Sequence, residues 1–355
     1  MSFDTKFFLG ANSNTGFKSY FEQLQAKDNG LQLLILKGGA GSGKSSLMKR
    51  VLLFAAKKGH EVEIIPCASD PYSLDAVIDH TAHFAIMDGT SPHVLDPSLA
   101  GVKDHIIYTG DLWDIKKLRA KEKEAVTLSE KIADCHKSAT AYIKSASSLL
   151  LENMSYAGKF IDRKKALSLA EKIINEAFTD TCGKERVRLL SAVSVGETVL
   201  FEKTPFILSD KVYVLCDRWG AAADFILKKI YFAAKEKNQE IIYCPCSIMS
   251  EKCDHLIFPE SRISIVTENS FLTFGGGEKI SLDGFYKEIP LYGNLVTRLA
   301  TAEKILPLAE SCVKEAKALH DELEKHYVEA MDFSGMEALF DKIIYHFYDH
   351  FLQNC

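Results

Sequence analysis

Apolar residues fall into short runs along the first third of the chain, each closed by turn residues. Residues 32–36 form an apolar run leading into glycines, and 46–58 carry helical spacing that closes at Gly59. Residues 61–66 and 83–87 read as two further strands, the second ending at Asp88. A strand–loop–helix–strand order predicts an α/β fold with a parallel, doubly wound sheet. The order then returns, with strands at 212–215, 240–243 and 262–266 and a helix at 221–235.

The two stretches share residues as well as rhythm. Ala55-Ala56-Lys57 falls on Ala233-Ala234-Lys235 at an offset of 178. At 179, Pro66-Cys67 falls on Pro245-Cys246, Asp75 on Asp254, Ile78 on Ile257, and Asp88 on Thr267. In the tails, 152–156 resemble 329–333, and Lys172-Ile173-Ile174 resembles Lys342-Ile343-Ile344. Matches at a nearly constant offset predict an internal duplication joined near 190–202. The first domain is expected at 1–195, with a core at about 20–110 and a helical extension at about 111–190. The second is expected at 196–355, with a core at about 205–285 and an extension at about 286–352.

Leu295, Leu299, Ala302, Ile305, Ala309, Val313, Ala316, Leu319 and Leu323 recur at spacings of three and four. They predict a long helix broken or restarted at Pro307. Residues 113–148 carry a weaker stripe and many lysines. Each extension reads as a helical hairpin packing on its own core; a docking face for a protein partner is the sharper alternative.

Composition changes little in this picture. The 355 residues are 47% hydrophobic and 26% charged, as in an ordinary globular protein long enough for two cores. A net charge of -5 argues against a broad nucleic-acid surface. No charged-then-apolar leader follows Met1, and runs such as 31–36 and 51–56 are too short to span a bilayer. Nine cysteines, an odd number, fit reduced thiols, so the expected location is cytoplasmic, with no membrane partner. Cys244, Cys246 and Cys253, even with His255, match no common zinc spacing and read as buried thiols.

The chemistry lies in Gly38-Gly39-Ala40-Gly41-Ser42-Gly43-Lys44-Ser45, which satisfies G-x-x-x-x-G-K-[ST] between a strand and a helix. Wrapping a phosphate chain with successive backbone N–H groups requires conformations that side chains obstruct. The helix that follows, from Ser46, turns its positive end toward the anion. Lys44 is placed to charge-pair with the β- and γ-phosphates, and Ser45 to bind Mg2+ through its hydroxyl. The expected cofactors are therefore ATP and Mg2+. Asp88, closing a strand downstream of this loop, is the second candidate metal group. Asp70, after the second strand in Asp70-Pro71, could hold or polarise a reactant, and is equally a turn signal. His93 could sense the γ-phosphate, and Arg163, Arg186 or Arg188, with Lys164 and Lys165 beside the first, could fold over it.

In the second stretch the corresponding positions read Cys216-Asp217-Arg218-Trp219-Gly220-Ala221-Ala222-Ala223. At an offset of 178, Ala222 stands for Lys44 and Ala223 for Ser45. Lysine, hydroxyl and most glycines are absent together, so this half is not expected to bind nucleotide in the usual way.

The chain resembles a family of uncharacterised bacterial ATPases with two tandem P-loop halves, over nearly its full length. The resemblance rests on Phe7-Phe8-Leu9-Gly10-Ala11-Asn12 with Thr15-Gly16-Phe17, and on Leu36-Lys37-Gly38-Gly39. It continues through Asp70-Pro71 with Leu74-Asp75, Asp88-Gly89-Thr90 with Pro92-His93, and Asp96-Pro97. It implies ATP binding and hydrolysis. In that family the second half also carries a complete loop, and this chain departs from the pattern. The leading expectation is an ATPase with one intact site. A small-molecule or nucleotide kinase and a nucleotide-gated binding module are the alternatives. No Asn-Lys-x-Asp guanine signal follows the third strand, which favours ATP over GTP.

Overall fold

The computed structural model describes residues 5–25, 30–289 and 294–349. Of the expected cores and extensions, 26–29, 290–293 and 350–352 lie outside the described residues. The first strands are β1 Thr5–Lys6, β2 Gly10–Ser13, β3 Gly16–Ser19, β4 Gln32–Lys37, β5 Val62–Pro66, β6 Leu74–Asp79, β7 Phe84–Asp88 and β8 Asp104–Tyr108. Those that follow are β9 Glu185–Val187, β10 Ser191–Val193, β11 Thr198–Leu200, β12 Lys211–Cys216, β13 Ile241–Pro245, β14 Cys253–Phe258, β15 Ile263–Glu268 and β16 Glu278–Ser281. The α-helices are α1 Lys44–Lys57, α2 Ile115–Ala120, α3 Glu122–Gly158, α4 Arg163–Ala177, α5 Thr204–Leu208, α6 Ala221–Glu236, α7 Leu295–Ala330 and α8 Ser334–Ile343.

The protein is α/β, with two compact units. The first comprises Met1–Gly10, Ser19–Ser138 and Cys312–Cys355, and the second Ala11–Lys18 and Ala139–Ser311. This corrects the division at 195/196: the tail of each sequence half belongs to the other half's unit. An apolar stripe demands a partner but does not say which core supplies it.

In the first unit the strand order is β1-β5-β6-β7-β4-β8. β4 runs parallel to β7 and β8, while β6 is antiparallel to both β5 and β7. The sheet is mixed, which corrects the expected parallel, doubly wound arrangement. The connections 67–73 and 80–83 are too short for a crossover, which needs a dozen or more residues, so β5, β6 and β7 form a meander. α1 lies against β5, β6 and β7. Its buried Leu47, Met48, Val51 and Ala55 share a core with Met331, Met336, Ile343 and Tyr348 from the C-terminal tail. Tyr348 also donates its buried hydroxyl to Asp79 Oδ2 at 3.0 Å.

The second unit repeats the plan as β16-β12-β15-β14-β13-β9, with β14 antiparallel to both neighbours. Register repeats too: Ile64 faces Val77 as Tyr243 faces Leu256, and Pro66 faces Leu74 as Pro245 faces Cys253. In each pairing the ladder shifts at the proline, which has no N–H to give. Here α6 packs on α4, and Ala166, Ala170, Ile173 and Ala177 of α4 enter the core with Ile226, Leu227 and Ile230.

Backbone bonds clip each tail to its unit. Asp332 donates its N–H to Leu112 O at 2.8 Å, and Asp162 donates to Phe285 O at 2.7 Å. These clips match the tails at an offset of 170, as Lys172 and Lys342 do. The sequence pairing of 152–156 with 329–333 is therefore one heptad out of step. α7 runs unbroken through Pro307, correcting the expected break. Leu306 and Ala309 on either side are buried, and that packing outweighs the one helical bond proline forfeits. Among the described residues no helix is long and apolar enough to cross a membrane.

Candidate functional site

β4 delivers the chain to the edge of its sheet, and the residues from Gly38 to Gly43 turn it into α1. Gly43 caps the helix in a left-handed conformation (φ 77°), and Gly41 is also left-handed (φ 63°), a region that side chains disfavour. Among the described residues, the N–H groups of Gly41, Ser42, Gly43 and Lys44 donate to no protein acceptor. Lys44 is nine-tenths buried, and its Nζ donates to the carbonyls of Gly38 and Gly39, both at 2.8 Å. Thus four N–H donors without a protein acceptor follow one another into the start of α1, beside an amine held by the loop's own carbonyls.

The loop's outer face is tightly covered. A Cβ on Gly39 would meet Tyr327 at 3.0 Å, and one on Gly41 would meet the Glu324 carbonyl oxygen at 2.8 Å. One on Gly43 would meet Met336 at 2.9 Å. These glycines let α7 and α8 approach the loop backbone directly.

The acidic candidates gather on the same sheet edge. Asp88 ends β7 beside Leu36, and its Oδ2 lies 3.4 Å from Lys44 Nζ. Its Oδ1 accepts from Thr90 N (2.9 Å) and Thr90 Oγ1 (2.6 Å). Ser45 Oγ accepts from Leu74 N at 3.0 Å, tying α1 to the start of β6. Asp70 sits in the β5–β6 turn, where its Oδ1 accepts from Tyr72 N at 3.2 Å and its Oδ2 lies 3.5 Å from Lys317 Nζ of α7. It is a turn residue and an ion-pair partner at once.

Asp75 was not singled out by sequence, although its match to Asp254 marked it. It is only 8% exposed. Burial and the neighbouring Asp88 carboxylate push its pKa up to about 8, against the pull of Lys44. His93 Nδ1 lies 3.1 Å from the Thr90 carbonyl, which can only accept, so that nitrogen carries hydrogen. Burial lowers the His93 pKa, leaving Nε2 with a lone pair 3.3 Å from Asp75 Oδ1. At neutral pH the proton between them resides on Asp75.

The arginine candidates are not brought to this loop's unit. Arg163, Arg186 and Arg188 belong to the second unit. Arg186 pairs with Glu240 at 2.8 Å, Arg188 donates to Val187 O, and Lys165 donates to Gly284 O. Cys244, Cys246 and Cys253 are buried free thiols.

In the second unit the corresponding edge is occupied by its own side chains. Four residues separate β12 from α6, where six separate β4 from α1. α6 is also capped by a left-handed glycine, Gly220 (φ 72°), so Ala221, and not Ala222, stands where Lys44 stands. Asp217 accepts from Ala223 N (2.9 Å), Trp219 N (3.1 Å) and the Tyr286 hydroxyl (2.9 Å). Tyr286 Oη in turn accepts from Ala222 N at 2.8 Å. A carboxylate thus caps the N-terminal end of α6. Lys252 pairs with Asp254, the counterpart of Asp75, in a buried bridge. Burial alone would raise the Asp254 pKa, but Lys252 holds it below the usual range. A cavity of about 60 Å³ beside them is lined by Asn153, Asp217, Arg218, Trp219 and Lys252.

Comparison with family models, curated proteins and solved structures gives no match.

Proposed function

We propose that the loop from Gly38 to Ser45 binds Mg–ATP, and that the chain is an ATPase with one nucleotide site. The observation that carries this reading is the run of unspent loop N–H groups beside the Lys44 amine at the start of α1. Ser45 and Asp88 offer the hard oxygen donors that Mg2+ prefers, and the ion would neutralise charge on the β- and γ-phosphates. In hydrolysis a water oxygen bonds to the γ-phosphorus as the bond to the β–γ bridging oxygen breaks. The bridging electron pair leaves with ADP, and the water proton ends on the released phosphate.

The shared strand order and register support descent of both units from one duplicated P-loop core, and the tandem P-loop resemblance points the same way. In the second unit Asp217 and Tyr286 already hold the N–H groups of α6, so no phosphate site is expected there.

Titration with a labelled, slowly hydrolysed ATP analogue and Mg2+ tests the reading. One site per chain is expected, with Lys44→Ala weakening it at least about tenfold, or about 1.4 kcal/mol. Unchanged affinity in a folded Lys44→Ala protein, or two sites per chain, refutes it. Phosphate release measured with and without acceptors separates hydrolysis from phosphoryl transfer.

A further inference from the structure

α3 and α7 bury the same pattern of positions. Ala139, Ile143, Ala146 and Asn153 on α3 correspond to Ala309, Val313, Ala316 and Leu323 on α7, each pair separated by 170 residues. On that alignment Ser147 corresponds to Lys317. Ser147 Oγ donates to the Ile248 carbonyl at 3.0 Å, in the β13–β14 turn. That turn shares its closing bonds with the β5–β6 turn: Ser73 N donates to Asp70 O at 2.8 Å, and Lys252 N donates to Met249 O at 2.9 Å. Met249 therefore occupies the place of Asp70.

The consequence is specific. Where the first unit has a lysine on the helix and an aspartate in the turn, the second has a serine and a methionine. The charged pair accompanies the complete glycine loop and is missing beside the loop that Asp217 fills. Solubility or helix propensity would not tie the pair to that difference. Lys317 Nζ lies 3.5 Å from Asp70 Oδ2 and also pairs with Asp321 on its own helix. Burial would lower its pKa, but Asp321 and Asp70 more than offset this, so the amine is charged. Asp70 in turn acts on the buried Asp75 carboxyl, on which Lys44 and Asp88 also act. Geometry links the pair to the loop: the turn that carries Asp70 leads into Leu74, whose N–H donates to Ser45 Oγ at 3.0 Å.

We propose that Lys317 is a second catalytic cation of the first unit, supplied by the tail of the other sequence half, which leaves Asp70 to contact the terminal phosphate of the bound nucleotide. This rests on the loop from Gly38 to Ser45 binding ATP. A cation at that oxygen stabilises charge that builds during transfer, and it distinguishes a triphosphate from a diphosphate.

The test compares wild type, Lys317→Ala, Lys317→Arg and Lys314→Ala. Their kcat for phosphate release with Mg–ATP is measured, together with the ratio of affinities for a slowly hydrolysed ATP analogue and ADP. Lys317→Ala is expected to lower kcat at least about 30-fold and the preference for triphosphate at least about fivefold, with Lys317→Arg recovering part of both. Lys314→Ala removes an exposed lysine one turn earlier on α7 and is expected to keep kcat within about twofold, which separates phosphate contact from a general loss of positive charge on the helix. A kcat and an affinity ratio for Lys317→Ala that both stay within about twofold of wild type overturn the inference alone. Wild type that binds no ATP overturns the functional reading and this inference with it. If wild type binds without turnover, the affinity ratio decides.

Discussion

Asp217→Ala is expected to destabilise the second unit by an amount that follows from its bonds. The carboxylate is 3% exposed and receives hydrogen bonds from Ala223 N, Trp219 N and the Tyr286 hydroxyl. Loss of a helix-capping acceptor costs about 1 kcal/mol. Each buried donor left unmatched adds about 1–3 kcal/mol, reduced where water enters. The adjoining cavity of about 60 Å³ has room for water near Trp219, so the low end applies to that donor. The sum is about 3 kcal/mol, or about 6–12 °C in Tm for a unit of this size. Asp217→Asn keeps one acceptor oxygen and should lose about half as much. Thermal and urea unfolding of both variants provide the measurement. Inorganic phosphate should stabilise Asp217→Ala more than wild type, because it can take the vacated place at the end of α6. A loss below about 1 kcal/mol for Asp217→Ala would refute the claim that this carboxylate satisfies the helix end.

Asp75 should make the first unit less stable as pH rises. Its proton is held up to about pH 8 in the folded chain but lost near about 3.9 when unfolded. Between those values the unfolded state binds fewer protons, so stability present below about pH 4 is withdrawn toward pH 8. Asp75→Asn stays neutral, and its advantage in unfolding free energy from urea titration should grow by about 1 kcal/mol or more from pH 5 to 8; parallel curves would contradict this. Asp88→Asn should lower Mg2+-dependent phosphate release at least about tenfold while metal-free nucleotide binding survives. Undiminished turnover at saturating Mg2+ would leave Asp88 a structural group, bonded to Thr90 and paired with Lys44.

The β4–loop–α1 segment was legible because glycine spacing, an apolar strand and a helix all point to one local structure. β6 and β14 were hidden because Asp75 and Asp254 interrupt their apolar runs, and periodicity does not report strand direction. The one-residue error at Lys44 arose because the second loop lost two residues while α6 gained two over α1, so the offset recovered by the helix end. Lys317 sits inside an apolar stripe that reads as core, and only the turn it reaches reveals a different use. The exchange of tails lies beyond local pattern, since the stripes of α3 and α7 would fit either core.

That exchange constrains the order in which the molecule can be completed during synthesis. The glycine loop and its sheet emerge from the ribosome early, yet the helices that cover Gly39, Gly41 and Gly43 come from residues beyond 320. Until these are made, the apolar surface of α1 that receives Met331, Met336 and Ile343 has no native cover. The nascent first unit must therefore wait while the 173 residues of 139–311 are made. Its contacts span long sequence separations, which predicts slow folding. Cutting the chain between its sequence halves would yield two incomplete units, and adding the halves back together in trans should restore both.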